Sequence, residues 1–573
     1  MSIPRTEAIA LPRASARVTG TTQRLTRALP ELVIGVLGLV IGLVGITVPS
    51  VWYDEAATIT SATRSWSALW TELHHVDAVH GLYYAGMHIW FAAVGYSPFT
   101  LRLPSALAVA VSAALVVALG RRIGDRELGL LAGVIFVALP RTQWAAGEGR
   151  PYALITVLAV ALTLVLTAAV GRRGAPAAGW WAAYSLLAAL SIALNLFLGL
   201  IVLAHGAGLV WQRWASRRRG RVRDDLHAGV LAAWFMASCC AIAAASPIAV
   251  TALRQSGQIG WIPGFSAQTL IQVFQTAWFG DWTVIAVLAW PLLALGSRAA
   301  LRARHAATAP ENADACAAQP ERTTHPRIAP GPLLITASAL PVLALVTATA
   351  LGHAIWTPKY ATLSAPFVGI LIALGLRQLA ARERTVTETG RSDLVRTSGR
   401  SPLLRLRRVI ARRPFTVTLG TLLVLCIGPT VLARLPTAKD GADWAAAAAI
   451  VQHQRWLDPD PNEGIIYGQL AGHSSATSSA LAVAYPHAFT GLRDLLTVST
   501  GAERGQLWAK NGSLATTLPS RLQRIGTVWF VGASGDALVS QTDHELTHDG
   551  FGIVGRWFAG NEQVVEYRRL STG

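Results

Sequence analysis

Charge is what this chain has least of. Only 14% of its 573 residues are Asp, Glu, Lys or Arg, against about 25% in an ordinary soluble domain. That deficit excludes one large soluble core, and long uncharged runs account for it. The first goes from Leu32 to Val48, between Glu31 and Trp52. Cysteine is scarce too, at 239, 240, 316 and 426. These four form no disulfide framework and no zinc spacing, and the adjacent Cys239 and Cys240 read as packing residues in an apolar run. Lysine occurs only at 359, 439 and 510. Arginine carries the rest of the basic charge, a bias that speaks of a GC-rich genome rather than of function. No period of solenoid length repeats along the chain.

The charge that is present is basic, at +18 overall. It sits in short arginine clusters between apolar runs: Arg121–Arg122, Arg172–Arg173, Arg217 to Arg219, Arg298 to Arg304 and Arg405 to Arg413. That is the pattern of cytoplasmic loops under the positive-inside bias, so membrane lipid and not nucleic acid is the expected surroundings. The segment 1–30, with Arg5, Arg13, Arg17, Arg24 and Arg27, reads as a cytoplasmic tail. Trp52-Tyr53-Asp54-Glu55, and no small-residue cleavage site, follows the first run, which therefore reads as an uncleaved span over 31–49.

Charge parity sets the topology. If the runs 81–97 and 103–120 both crossed, Arg121–Arg122 would lie outside and later clusters would invert. The run 81–97 is short for a span, at roughly 17 residues. It carries His88 and the interfacial aromatics Tyr83, Tyr84 and Trp90. It is placed on the outer surface, inside a first external loop over 50–102. Spans follow at 103–120, 127–143, 151–170, 179–195, 196–212, 227–248, 283–297, 332–352, 360–380 and 414–434, about eleven in all. Asn195 is the only break between two of them. Loops 144–150, 249–282 and 353–359 then face outside, while 298–331 and 381–413 are cytoplasmic and partly disordered. The membrane domain covers 31–434. Residues 435–573 are polar and mixed, with a helix at 444–454 capped by Asp440 or Asp443, and strands at 465–467, 527–531 and 564–567. The fold class is an α-helical polytopic membrane protein with a small external α/β C-terminal domain.

Polar residues gather at the outer edge. Asp54 and Glu55 follow the first span, and adjacent acids there are costly unless solvated or bound. Their ordinary reading is the first turn of a helix behind an aromatic belt. Asp77, His80 and Tyr83 lead into the interfacial run. Arg102-Leu103-Pro104-Ser105 opens the second span, Glu148-Gly149-Arg150-Pro151-Tyr152 the fourth, and Lys359-Tyr360 the tenth. Arginines at an outer face run against the positive-inside bias. Either Arg150 pairs locally with Glu148, or the cations hold an anion such as a lipid phosphate, whose tail stays in the bilayer. A sugar on a lipid phosphate is a stored electrophile. An acceptor hydroxyl attacking its anomeric carbon needs a base, assigned to Asp54 with Glu55 and the low-dielectric membrane edge raising its pKa. The departing phosphate needs cations, assigned to Arg102, Arg150 and Lys359, with Tyr360 beside them. One carboxylate and one displacement imply inversion. Asp77, His80, Tyr83, Glu148 and Tyr152 are assigned to the substrate cavity. A divalent metal at Asp54 and Glu55 is an open alternative without His or Cys spacing behind it.

These clusters resemble those of GT-C membrane glycosyltransferases, in the branch of protein O-mannosyltransferases and aminoarabinose transferases. The resemblance runs over roughly residues 30–380. It rests on the Asp54-Glu55 pair, Asp77 to Tyr84, Arg102 to Ser105, Arg150-Pro151-Tyr152-Ala153 and Lys359-Tyr360, an ordered set more specific than any member. Gly81 stands where the family often has proline, and Lys359 where it often has arginine, which keeps the charge but loses the bidentate fork. The resemblance implies a polyprenyl-phosphate-sugar donor, surface helices in the first external loop and an essential acid at Asp54. The C-terminal segment is similar to tails of actinobacterial members, which implies mannose as the sugar and an envelope glycolipid or protein as acceptor. Another sugar, such as arabinofuranose or galactose, fits the same residues. A transporter or flippase would need ionisable groups within spans, which this chain nearly lacks. A non-catalytic assembly protein would tolerate loss of Asp54.

Overall fold

The computed structural model describes residues 15–172, 174–218, 228–306, 328–389 and 413–570. The start of the tail expected over 1–30, the middle of the loops expected over 298–331 and 381–413, and Cys316 lie outside the described residues. Helix α1 (Ser15–Leu43) rises to one end of the bundle. Three short helices follow at that end: α2 (Tyr53–Ala62), α3 (Trp66–His75) and α4 (Gly81–Val94). At 14 residues, α4 is about 21 Å long, too short to cross a bilayer. Helices α5 (Pro98–Ile123), α6 (Arg126–Ala138), α7 (Pro140–Ala146), α8 (Tyr152–Val170), α9 (Ala175–Leu194), α10 (Gly199–Arg218) and α11 (Ala228–Arg254) come next. Then come α12 (Thr283–Ala306), α13 (Pro330–Ala350), α14 (Ala365–Thr389) and α15 (Pro414–Leu432). Among the described residues nine helices are long and apolar enough to span a membrane. A bent pair makes a tenth candidate, and the shorter apolar stretch Ala28–Leu43 joins them. The chain is a multi-pass membrane protein.

The bent pair corrects the straight span expected over 127–143. Helices α6 and α7 meet at 66°. Leu139 leaves the helical region, with ψ 128°, because the next residue, Pro140, has no N–H to continue the ladder and disfavours a helical neighbour. Asn195 does break the chain between α9 and α10: its side chain accepts from Phe197 N at 3.1 Å. The connections alternate, so 44–97, 147–151, 195–198, 255–282, 351–364 and everything after α15 lie at one end. Arg121, Arg122, Arg217 and Arg218 lie in the last turns of helices running to the other end. Helix α8 and the span Pro358–Ala381 are the most enclosed, at 67% and 72% buried, while α11 and α15 are 22% and 17% buried and flank the bundle. Helices α12 and α14 approach at backbone distance through Gly296 and Gly375, where a Cβ would overlap the carbonyl oxygens of Leu371 and Leu292. Close approach through small residues is how helices associate without a hydrophobic driving force in lipid.

After α15 the chain forms α16 (Trp444–Leu457), capped by Asp443, and a five-stranded sheet. Its strands are β1 (Glu463–Tyr467), β2 (Arg493–Asp494), β3 (Thr527–Ala533), β4 (Phe551–Ala559) and β5 (Glu562–Arg569). The order is β2-β1-β3-β5-β4, with the first three parallel and the last two antiparallel. Alternation along β3 explains its burial on both faces. Trp529 and Val531 join the core shared with the helices, and Val528 and Phe530 a second core with Leu546 and Tyr567. The unit is tied down by Ser50 N to Pro436 O at 2.9 Å, Val51 N to Tyr485 Oη at 2.9 Å, and Arg64 to the carbonyls of Gln506 and Leu507 at 2.7 and 3.0 Å.

Candidate active site

A cavity of about 1730 Å³ opens between the bundle and the C-terminal unit. Asp54, Asp77, His80, Arg150, Tyr152, Lys359 and Tyr360 line it. Four stretches of chain separated by up to about three hundred residues thus meet at one place.

Asp54 and Glu55 both occupy the first turn of α2. Neighbours on a helix point about 100° apart, so only one can face the cavity. Asp54 does, and Lys359 Nζ donates to its Oδ2 at 2.7 Å. The ammonium also lies over the rings of Trp261 and Trp52, at 5.2 and 5.9 Å. Burial would raise the Asp54 carboxyl, but Lys359 and then Arg150 outweigh it and hold the group well below the usual carboxylate range. The expected upward shift is therefore corrected. Of the two expected causes, burial does act upward but is outweighed, and Glu55 turns away from Asp54.

Glu55 faces inward. Arg102 grips it with two bonds, Nε to Oε1 at 2.8 Å and a terminal nitrogen to Oε2 at 2.6 Å. The remaining Arg102 donors go to the carbonyls of Ile46, Pro49 and Ser50 at 2.8 to 3.0 Å. Both side chains are fully buried. Arg102 has five N–H groups and all five are used, so it brings none to a phosphate. Its expected role is corrected to that of a clamp on the turn before α2. Glu55 is likewise not placed to act on substrate, nor to share a metal with Asp54. Gly149 N and Lys439 Nζ also donate to its Oε1, at 2.8 and 2.7 Å. This ring of partners holds it at about 2, against burial. Among the described residues no three His, Cys, Asp or Glu side chains are grouped to hold a metal.

Glu148 and Tyr83 also lie behind the cavity wall rather than in it. Glu148 accepts from Trp52 Nε1 at 3.0 Å, and Lys439 Nζ stands 3.1 Å away. Burial pushes its carboxyl up to about 7. Tyr83, on the inner face of α4, is packed into the core. Asp77 sits in the left-handed region, φ 60°. It is held there by Gln258, which accepts from its N–H at 3.2 Å, and by Gln255, which accepts from Ala78 N at 2.9 Å. Its Oδ2 accepts from Tyr84 Oη at 2.5 Å, and Arg150 donates to the same Tyr84 oxygen at 2.9 Å. Asp77 and Tyr84 thereby aim Arg150 at the cavity, and Arg150 Nε makes no hydrogen bond within the protein. Burial, then Arg150, lowers His80 to about 4, so its ring is neutral.

Several lining residues carry no signal in the sequence. The C-terminal unit contributes Asp440, His473, Arg504 and Trp508. His473 stacks on Tyr53 at 3.7 Å, and Trp508 Nε1 donates to Tyr53 Oη at 3.1 Å. Arg141, at the α6–α7 bend, lines the far side. Lys439 is buried below the cavity. Two of the chain's three lysines form ion pairs here, Lys439 buried and Lys359 half-buried at the cavity wall.

No family model matches the chain, and no curated protein matches it. Solved structures do. ArnT from Cupriavidus metallidurans bound to undecaprenyl phosphate superimposes with a TM-score of 0.52 at 15% identity, covering 94% of this chain and 98% of that one. The same protein in the apo state gives 0.51 at 15%, over 96% and 98%. Arabinosyltransferase EmbB from Mycobacterium smegmatis is more distant, at 0.40 and 16% over 75% of this chain and 42% of that one. Over nearly its whole length the chain thus has the GT-C fold, in the form found in ArnT.

Proposed function

We propose that the protein is a membrane glycosyltransferase. It moves a sugar from a polyprenyl-phosphate carrier to a cell-envelope acceptor, with inversion at the anomeric carbon. The observation that carries this reading is the meeting of Asp54, Lys359 and Arg150 in one cavity at the end of the bundle opposite the arginine clusters. By the positive-inside bias that end is extracytoplasmic. Residues 31–434 are then the transferase domain and 435–573 an extracytoplasmic domain roofing its site. Mannose is the sugar proposed.

The steps follow from charge. The donor enters from the bilayer with its phosphate at Arg150 and Lys359. When the phosphate takes the Lys359 ammonium, Asp54 loses its nearest cation. Its basicity rises at the moment a substrate is present. The acceptor hydroxyl gives its proton to Asp54 and its oxygen bonds to the anomeric carbon. The carbon–oxygen bond to phosphate breaks, and the negative charge left on the lipid phosphate stays with Arg150 and Lys359. Tyr152 and Tyr360 wall the donor sugar, and neutral His80 offers a hydrogen bond without competing for phosphate. A carrier lipid as donor is supported by ArnT, which shares the fold and was solved with undecaprenyl phosphate bound.

The test is transfer by purified protein in nanodiscs from a panel of polyprenyl-phosphate sugars, with Asp54→Asn alongside. The variant is expected to fold and to lose transfer at least a hundredfold, the order of general-base catalysis. Undiminished transfer by Asp54→Asn removes the base, and no transfer from any donor removes the function.

A further inference from the structure

A second cavity, about 560 Å³, lies within the C-terminal unit. It falls in the roughly 300–1,000 Å³ range of small-molecule sites. Its place in the fold is informative. From the carboxyl end of β1 the chain runs to β2 on one side, and from the carboxyl end of β3 it runs to β4 on the other, so the connections part between β1 and β3. The cavity opens where they part, past the carboxyl ends of β1 and β3, against Gly468 and Asp536. In open α/β sheets that crevice is where ligands bind. Gly468 keeps the floor thin, since a Cβ there would meet the Phe530 ring at 2.6 Å and Asp536 Oδ2 at 2.7 Å.

The two cavities share walls. Along 504–511, Gln506, Leu507 and Trp508 face the Asp54 cavity, Ala509, Lys510 and Asn511 face the second, and Arg504 lines both. Along 472–477, Gly472 and His473 face the first, Ala476 and Thr477 the second. Arg64, donating to Gln506 and Leu507 carbonyls, fixes the shared wall to the first loop of the bundle. The rim offers amides, a hydroxyl, a cation and one carboxylate that already accepts from Gln469 N and Leu538 N: Gln469, Thr477, Asn511, Lys510, Gln541 and Asp536. Ala476, Ala509, Ala537 and Leu538 line it between these polar groups, and donors and acceptors interleaved with small apolar patches suit neither a lipid chain nor a polyanion. They suit a chain of hydroxyls.

We propose that this second cavity is a distal subsite for an oligosaccharide acceptor, whose reacting end lies at Asp54 and whose remaining sugars run past His473 and Arg504 into the C-terminal unit. It rests on the transferase reading. The rigid wall between the two stations makes the subsite a selector of acceptor length.

The experiment uses the full chain in nanodiscs with its donor and tagged linear mannose, galactose and arabinose oligosaccharides of increasing length. The expected result is a kcat/KM that rises about tenfold or more with length, equivalent to about 1.4 kcal/mol, and then levels off. Gln541→Trp, which fills the mouth from an exposed helix face, should flatten that rise and weaken binding of the longest tagged oligosaccharide, read by fluorescence anisotropy. Lys510→Ala, on the opposite wall, should lower the rise in part. Length-independent transfer by the unaltered protein, or an undiminished rise in Gln541→Trp, overturns the subsite and leaves the transferase standing. No transfer to any acceptor overturns both.

Discussion

Replacing Lys439 by Met should separate the buried charges under the active site from the catalytic ones above it. Lys439 Nζ bonds Glu55 at 2.7 Å and the Gly147 carbonyl at 2.8 Å, and lies 3.1 Å from Glu148. Arg102 completes the group. Two acids and two bases balance, far from water. Met fills the volume but leaves Glu148 with no cation in contact, Arg102 being taken up by Glu55. Breaking a buried pair from one side costs about 3–5 kcal/mol. Protonation offers Glu148 a way out, and burial already holds its carboxyl at about 7. A carboxyl raised in the folded state adds stability that is present below its unfolded pKa and is lost as pH rises through the folded one. Glu55, lowered to about 2, acts the other way and loses its share only in strong acid. The variant should therefore show its full deficit at pH 8.5 and a smaller one at pH 5.5. Unfolding by SDS titration in mixed micelles, at both values, reads this directly. Lys439→Arg, which keeps the charge, and Glu148→Gln added to Lys439→Met should each recover most of the loss. A deficit below about 1 kcal/mol at pH 8.5, or one equal at both pH values, would refute the account of the cluster.

Three further outcomes follow. Lys359→Met removes the main force holding the Asp54 carboxyl down, so burial then raises it. Residual transfer should acquire an acid limb, falling as pH drops toward 5, where the unaltered protein stays flat; identical pH profiles would count against Asp54 as the base. Tyr84→Phe leaves Asp77 Oδ2 and one Arg150 donor unmatched, a cost of about 1–3 kcal/mol. It should lower kcat/KM more than it lowers folded yield, and unchanged kinetics would show that Arg150 is aimed by something else. Gly296→Ala drives a methyl into the Leu371 carbonyl at the α12–α14 contact. It should reduce folded protein recovered from membranes several-fold, whereas Gly229→Ala, with open space around it, should leave recovery unaltered.

The sequence alone determined the architecture and named several residues that line the candidate cavity. Apolar runs and arginine clusters are local signals, summed over each segment, so spans, the short surface helix over 81–97, the break at Asn195 and the strands around Ile465, Val528 and Val565 were all legible. Asp54, Arg150 and Lys359 were legible because ionisable groups at a membrane edge are costly and so draw notice. Only the tertiary structure decided what each did. It gave Glu55, Arg102 and Glu148 to a buried network and brought Lys439 into it from beyond the last span. It set the Asp54 pKa down rather than up, and bent α6 from α7 at Leu139. It also brought His473 and Trp508 over the cavity. The reason is that burial and pairing depend on groups hundreds of residues apart arriving within 3 Å of one another. A charged side chain looks the same in sequence whether its partner is water, a substrate or another part of the chain.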